Sequence, residues 1–110
     1  MEIVKEKRNG ITCLRIEGSL TALNSSVVKK SILDIIATEG IKLIIDFSKL
    51  QYISSSGLRV ILLVAKDIKA KKGRIILCSM TDAVKKAFDA SAFTPIFNIQ
   101  NSIEEALKKF

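Results

Sequence analysis

The sequence contains no histidine, which excludes several kinds of functional site at once. A His-based triad, an imidazole general base, a phosphohistidine and a His-ligated metal ion all require this side chain. The two cysteines, Cys13 and Cys78, each lie within an apolar run. Their spacing matches neither a metal site nor a redox motif, so we interpret both as small, reduced core residues.

Aromatic residues are also scarce, with five phenylalanines, one tyrosine and no tryptophan. The sequence therefore lacks the aromatic residues, interleaved with basic ones, on which nucleic-acid bases stack. The formal net charge is +7, but the lysines are dispersed along the chain, mostly on the polar sides of predicted helices. We interpret this charge as a solvated cationic surface and expect no nucleic-acid partner, while an acidic protein partner stays open.

Long apolar runs are absent as well. None approaches the ~18 residues that span a bilayer, and the first ten residues are too charged for a secretory signal. We therefore expect a cytoplasmic protein without membrane insertion. The chain has 110 residues, 48% of them hydrophobic, and one proline. With no repeat or low-complexity stretch in it, we expect one domain spanning residues 1–110.

The most informative stretch joins a mostly β-branched apolar run to a helical pattern through a run of serines; the apolar run consists of Ile41, Leu43, Ile44 and Ile45. The apolar run has no alternation, which is typical of a strand covered on both faces, so we expect it at the centre of a sheet. Apolar residues then recur at helical spacing over residues 58–68, so a helix begins at serines 54–56. From spacing alone, these serines are best explained as a capped loop before a helix.

The start of this helix can also hold a phosphate. Its first backbone N–H groups lack partners within the helix, and the helix dipole places about half a positive charge there. A serine at this position is therefore either a cap or a phosphoacceptor. Gly57 is most simply explained as a backbone requirement of a tight turn from strand to helix.

The remaining patterns predict the order β β α β α β α (β) α. Residues 2–7 and 11–16 form an antiparallel hairpin through Asn9 and Gly10, and the second strand ends at residues 17–19. A helix follows, capped by Thr21, Asn24 or Ser25 and stopped at Gly40. Apolar strands on either side of the central helix indicate a parallel βαβ unit. A weak strand at residues 96–99 and a helix capped by Ser102 and Glu105 complete one α/β domain.

The segment IIDFSKLQYISSSGLRVILL, residues 44–63, resembles the STAS domain family, specifically the bacterial anti-sigma-factor antagonists. Their pattern is an apolar strand, Asp-[Leu/Phe]-Ser, an aromatic and an apolar residue, then Asp-Ser-[Ser/Thr]-Gly-Leu-Gly and a helix. The residues that match in place are Asp46, Phe47, Ser48, Tyr52, Ser55, Ser56, Gly57 and Leu58. The resemblance extends over the whole chain and implies a STAS-like mixed sheet with helices packed on it.

The resemblance also implies a function and a site. In such proteins the serine two positions before the glycine is phosphorylated, which corresponds to Ser55. The unphosphorylated antagonist binds an anti-sigma factor that is also an ATP-dependent serine kinase, phosphorylation releases it, and a serine phosphatase resets it. We assign partner binding to the surrounding residues, which are Thr21, Asn24, Tyr52, Ser54, Ser56, Gly57 and Arg59.

Three positions depart from the family's pattern. Ser54 and Thr21 stand where the family has aspartates, and Arg59 stands where it has a small residue. Arg59 follows Ser55 by four positions, so the two side chains lie close together on a helix. Arg59 can therefore pair with a phosphate on Ser55 or serve only as a solvated side chain.

Two other functional classes stay open. A receiver-like phosphotransfer domain fits the length, but it needs an acidic Mg²⁺ pocket, and only Asp46 stands at a suitable strand end. A STAS domain can also act without phosphorylation, as an adaptor in a stressosome, a transporter or a lipid-transport complex. No catalytic constellation is evident, so we expect a non-enzymatic protein without cofactor or metal. The sequence leaves the oligomeric state undetermined.

Overall fold

The computed structural model describes residues 1–92 and 94–110. Among these residues, four helices pack on a mixed sheet, and the predicted elements are present in the predicted order, with one additional short strand at Leu50–Ile53. The strands are β1 (Glu2–Arg8), β2 (Ile11–Leu20), β3 (Lys42–Asp46), β4 (Leu50–Ile53), β5 (Arg74–Cys78) and β6 (Asn98–Gln100). The helices are α1 (Ser25–Glu39), α2 (Ser55–Ala70), α3 (Asp82–Ala90) and α4 (Ile103–Leu107), with a 3-10 turn at Thr94–Ile96.

The sheet has the order β1-β2-β3-β5-β6, which places β3 at its centre as predicted. Among the described strands, only β1 and β2 pair in an antiparallel manner, whereas β2, β3, β5 and β6 run parallel. The hairpin turns at Asn9 and Gly10, whose φ angles are 53° and 79°. Positive φ at both central residues matches the right-handed twist of the flanking strands. The predicted mixed α/β fold is therefore confirmed.

Both faces of β3 are covered, as its unbroken apolar run predicts. Leu43 and Ile45 point into the main core with α1, α2 and α3, while Ile44 points to the opposite face. All three side chains are fully buried. On that second face, α4 contributes Ala106 to a smaller cluster that also contains both cysteines. The sheet is thus sandwiched, with the three longer helices on one side.

The predicted end of β2 at residues 17–19 is wrong, because the strand continues to Leu20. Its first part pairs with β3, whereas Gly18, Ser19 and Leu20 pair in parallel with β4. The register shifts between Gly18 and Ser19, and Gly18 has a φ of 104°. This irregularity lets one strand serve two partners. It brings β4, and the serines that follow it, beside the β2–α1 loop.

The last strand and helix differ slightly from the prediction. A 3-10 turn precedes β6, which begins at Asn98 rather than at residue 96. Ser102 caps α4 by accepting from the Glu105 N–H at 3.1 Å, but the Glu105 carboxylate accepts from Asn101, one residue earlier than in a standard capping box. We also expect Phe93 and Pro95 to interrupt α3, which ends at Ala90; Phe93 lies outside the described residues.

The two cysteines are buried and form no disulfide, which confirms their assignment to the core. Burial raises the pKa of the Cys78 thiol to about 11 and also raises the pKa of Cys13. Because the thiolate is the reactive form, we predict that neither cysteine reacts with iodoacetamide in the folded protein at a pH of about 8. Mass spectrometry should show alkylation only after denaturation. Rapid alkylation of Cys78 in the folded chain would contradict this packing.

Candidate functional site

The start of α2 is fixed by Ser54, which caps the helix. Its Oγ accepts a hydrogen bond from the Gly57 N–H at 3.0 Å, and its backbone oxygen accepts from Leu58 N–H at 2.9 Å. The Ser54 N–H donates to the Leu20 oxygen at 2.9 Å, which ties the helix start to the end of β2. Ser54 therefore provides a side-chain acceptor for an N–H group at the start of α2 that has no partner within the helix, as a serine N-cap does.

Ser55, the first residue of α2, has a different environment. Its side chain is exposed, and its hydroxyl makes no hydrogen bond to any other residue among 1–92 and 94–110. Spacing alone predicts that one of the serines caps the helix, and in the structure Ser54 is that cap. The Ser55 hydroxyl is consequently available to an incoming molecule, while the adjacent N–H groups of α2 point toward the same end of the helix.

Gly57 is needed for space rather than for an unusual backbone angle. It is buried within α2 and is absent from the residues with positive φ. A Cβ atom there would lie 2.7 Å from Leu20 Cγ and 2.9 Å from Ile53 Cγ1. The interpretation of Gly57 as a requirement of a tight turn is therefore wrong. The glycine lets α2 approach the ends of β2 and β4, and its buried position keeps it out of direct contact with an incoming molecule.

The β2–α1 loop lies against this helix start and is braced by Asn24. The Asn24 Oδ1 accepts from the Thr21 N–H at 2.9 Å, and its Nδ2 donates to the Ser19 oxygen at 2.9 Å. Asn24 occupies the N-cap position of α1 without a side-chain capping bond. None of the three predicted N-cap residues, Thr21, Asn24 and Ser25, makes a side-chain capping hydrogen bond to α1. Asn24 instead holds the β2–α1 loop in place beside Ser54.

A groove of about 340 Å³ separates the first turns of α1 and α2. Both helices return from the same end of the parallel strands, so their N-termini lie side by side. We call this the α1–α2 groove. The residues that line it are Ser25, Ser26, Lys29, Ser55, Ser56, Arg59, Val60 and Leu63.

The electrostatic character of the α1–α2 groove is positive. Lys29 and Arg59 line it, and neither forms an ion pair within the described part of the chain. The first turns of both helices contain no acidic residue. Two helix dipoles and two cations therefore act on the space beside Ser55 without an opposing carboxylate. Sequence reasoning missed Lys29, because its place opposite Arg59 depends on helix packing.

Apolar side chains are exposed around the same end of the molecule. Leu23 in the β2–α1 loop is 96% exposed, Val27 on α1 is 68% exposed and Leu63 on α2 is 39% exposed. Tyr52, at the end of β4, is 54% exposed, so it is available for contact rather than buried. Such apolar exposure beside a loop and two helix ends is typical of a protein interaction surface.

No arrangement for metal chemistry is found near Asp46. Its Oδ1 accepts from the Ser48 N–H at 2.8 Å, so the carboxylate braces the turn that follows β3. Within residues 1–92 and 94–110, no three His, Cys, Asp or Glu side chains are grouped to hold a metal ion. None of the helices described is long and apolar enough to cross a bilayer.

The sequence matches a known domain family. The model of the STAS domain matches residues 2–106, which is nearly the whole chain. The chain belongs to the STAS domain family.

Relatives of this STAS domain share its full length. BtrV of Bordetella bronchiseptica, named provisionally as an anti-sigma factor antagonist, is 31% identical over 110 residues, covering 100% of this chain and 95% of BtrV. A crystal structure from Thermotoga maritima, provisionally named in the same way, has a TM-score of 0.90 at 22% identity over 97% of this chain and 92% of that one.

A second solved structure is the Bacillus cell fate determinant SpoIIAA in its phosphorylated form. It has a TM-score of 0.74 at 23% identity, and the match covers 98% of each chain. At this identity the likeness concerns the fold alone. It shows that the STAS fold of this chain is also adopted by a phosphorylated protein.

The structure of this STAS domain brings most of the predicted site residues to one end of the molecule. Ser55, Ser56 and Arg59 line the α1–α2 groove, and Ser54 caps the helix beside them. Thr21 and Asn24 lie in the adjoining loop, which Ser54 contacts through Leu20. Tyr52 stands exposed on β4, and only Gly57 lies buried beneath this surface.

Proposed function

We propose that this chain acts as a single STAS domain and as an anti-sigma-factor antagonist. Its partner would dock around the start of α2, and phosphorylation of Ser55 would end that docking. The observation that carries this proposal is the exposed Ser55 hydroxyl, left free because Ser54 makes the capping bond to Gly57. The names of the relatives support the same class of function.

A phosphate on Ser55 is compatible with the local structure. It would add about −1.5 to −2 charges and three acceptor oxygens at a helix start, where negative charge is favoured. Lys29 and Arg59 lie in the same groove, and no acidic residue in either first turn opposes the added charge. The modification would therefore change the surface without unfolding the helix.

The same phosphate would oppose docking. Leu23 in the β2–α1 loop and Tyr52 on β4 offer exposed apolar contact area, and such contacts stabilise a complex by excluding water. A doubly charged group placed within that area loses its hydration when the partner closes over it. Unless the partner supplies a matching cation, this desolvation disfavours the complex.

The proposed partner is an anti-sigma factor that is an ATP-dependent serine kinase, with a serine phosphatase as the opposing enzyme. Incubation of the chain with such a kinase and ATP, followed by mass spectrometry, tests this proposal. We expect one phosphate, located on Ser55 and lost in Ser55→Ala. Ser54→Ala and Ser56→Ala are matched controls that should keep the modification. Phosphate on Ser54 or Ser56 in the native chain would overturn the assignment.

An adaptor function without phosphorylation is the second candidate. The observation that favours it is that no carboxylate lines the groove beside Ser55 in the part of the chain that the structure describes, because the family's preceding aspartate is replaced by Ser54. A carboxylate there could orient or activate the hydroxyl during phosphoryl transfer. Stable binding of the anti-sigma factor without modification of either protein would favour the adaptor.

Once Ser55 is phosphorylated, Lys29 and Arg59 should stabilise the phosphate dianion. The second pKa of phosphoserine is about 6, and nearby cations lower it because they favour the more negative form. Replacing Arg59 or Lys29 with alanine should therefore raise this pKa, by roughly half a unit each. A phosphorus-31 NMR titration measures it, with Lys86→Ala on α3 as a control. An unchanged pKa in both groove variants would contradict contact with the phosphate.

A further inference from the structure

A second groove lies toward the other end of α2 from Ser55. It has a volume of about 450 Å³ and is bounded by the second half of α2, the start of β5 and the segment leading into β6. We call it the distal groove. Its described lining residues are Leu62, Ala65, Lys66, Ile68, Lys69, Gly73, Arg74, Ile75, Ile96, Phe97 and Asn98. Lys66 follows Ser55 by eleven positions, about 16 Å along the helix axis.

The floor of the distal groove is apolar. Leu62 and Ile75 are only partly covered by neighbouring elements, and Ile96 is 58% exposed at the edge. Exposed isoleucine beside a concave surface is unfavourable in water, and a bound apolar group would cover it. The groove therefore offers an apolar surface that the described residues of the fold leave incompletely covered.

The rim of the distal groove is cationic. Lys66 and Lys69 are exposed on successive turns of α2, and neither pairs with a carboxylate within the ranges described. The nearby Asp67 is instead engaged by Lys71 at 3.1 Å and does not line the groove. Arg74 also lines the groove, but its guanidinium lies over the Phe110 ring at 5.6 Å, on the α4 side of the sheet, so the head-group contact is assigned to the two lysines. None of the described lining residues is acidic.

These two properties define the chemistry of a ligand. We propose that the distal groove binds a small anionic amphiphile, such as a medium-chain fatty acid, with its alkyl chain on the apolar floor and its carboxylate between Lys66 and Lys69. The volume lies within the range of about 300–1,000 Å³ that is usual for small-molecule sites. A protein partner would need a surface of about 1,000 Å² or more, which extends well beyond this groove.

Nitrogen-15 NMR titration with decanoate, kept below its micelle concentration, tests the proposal directly. Decanol and decyltrimethylammonium carry the same alkyl chain with a neutral or positive head group. We expect saturable shifts at the amides of the distal groove with decanoate, weaker binding of decanol, and no binding of the cation. Equal binding of all three, or shifts centred outside the groove, would overturn the proposal.

Charge-reversal variants separate a specific head-group contact from the net charge of the protein. Lys66→Glu/Lys69→Glu should weaken decanoate binding by roughly tenfold or more. Lys85→Glu/Lys86→Glu on α3 changes the net charge equally and should bind decanoate as the native chain does. The Ile96→Ser variant should also weaken binding, because it removes an apolar contact at the edge of the groove. Equal losses in both double variants would contradict the assigned site.

Discussion

Ser55→Asp is expected to weaken binding to the anti-sigma factor by about a hundredfold while leaving the melting temperature within about 2 °C of the native value. The large first effect follows because docking would desolvate a carboxylate for which the anti-sigma factor supplies no matching cation. The small second effect follows because Ser55 is exposed and its hydroxyl makes no hydrogen bond within the described residues. An acidic side chain is also favoured at the first position of a helix. Isothermal calorimetry and thermal unfolding measure the two quantities.

Ser54→Ala is the matched comparison, one position away. It removes the acceptor of the Gly57 N–H and should cost about 1 kcal/mol of stability, equivalent to a fall of roughly 4–8 °C in melting temperature. The affinity of the folded Ser54→Ala variant for the anti-sigma factor should change little. If Ser55→Asp instead lowered the melting temperature as much as Ser54→Ala, Ser55 would be a structural residue and the proposed switch would be wrong.

Gly57→Ala should destabilise the protein by about 1–3 kcal/mol, although alanine is the better helix former. The added Cβ would lie 2.7 Å from Leu20 Cγ and 2.9 Å from Ile53 Cγ1, so α2 must move away from both strands. Because Ser54 and Ser55 sit on the turn that would move, binding of the anti-sigma factor should weaken as well. Urea unfolding gives the free energy of unfolding for the variant and the native chain.

Ser56→Ala serves as the control for this substitution. Ser56 is adjacent to Gly57 but only half-buried, so its change should alter the free energy of unfolding by no more than about 0.5 kcal/mol. The sign of the change in the free energy of unfolding caused by Gly57→Ala is decisive. A gain of stability would show that Gly57 only lowers the helix propensity of α2 and is not needed for the close approach of α2 to Leu20. That result would contradict the packing of α2 on β2 and β4.

The centre of the fold could be predicted because its signals are local. An unbroken apolar run at residues 43–45 identifies β3 as a strand covered on both faces, and the helical spacing after the serines identifies α2. Asn9 and Gly10 favour a tight hairpin turn through their tolerance of positive φ. Each of these features depends on residues within a few positions of one another.

The predictions from sequence were wrong where segments that are distant in the chain are in contact in the fold. Glu17, Gly18 and Ser19 resemble a turn in sequence, yet they continue β2 because β4 pairs with its final residues. Gly57 looks like a turn glycine, yet it is required by the position of Leu20, which lies 37 residues earlier in the chain. In both cases the deciding contact is tertiary and leaves no local pattern.

The candidate site was predictable in part for the same reason. The serine run and the resemblance of residues 44–63 to the STAS pattern pointed to Ser55 and Arg59. Lys29 was not identified, since only the side-by-side packing of α1 and α2 places it in the groove with them. The division of roles between Ser54 and Ser55 likewise required coordinates, because either serine could cap the helix on spacing alone.

A nitrogen-15 NMR titration of the chain with its anti-sigma factor, before and after phosphorylation, tests the central claim most directly. We expect the unphosphorylated chain to show shifts concentrated in the β2–α1 loop, at Tyr52 and at residues 54–59. These shifts should disappear after phosphorylation, while amides in β3 and β5 keep their native positions. Shifts centred elsewhere, or binding that is unchanged by a phosphate on Ser55, would contradict the account.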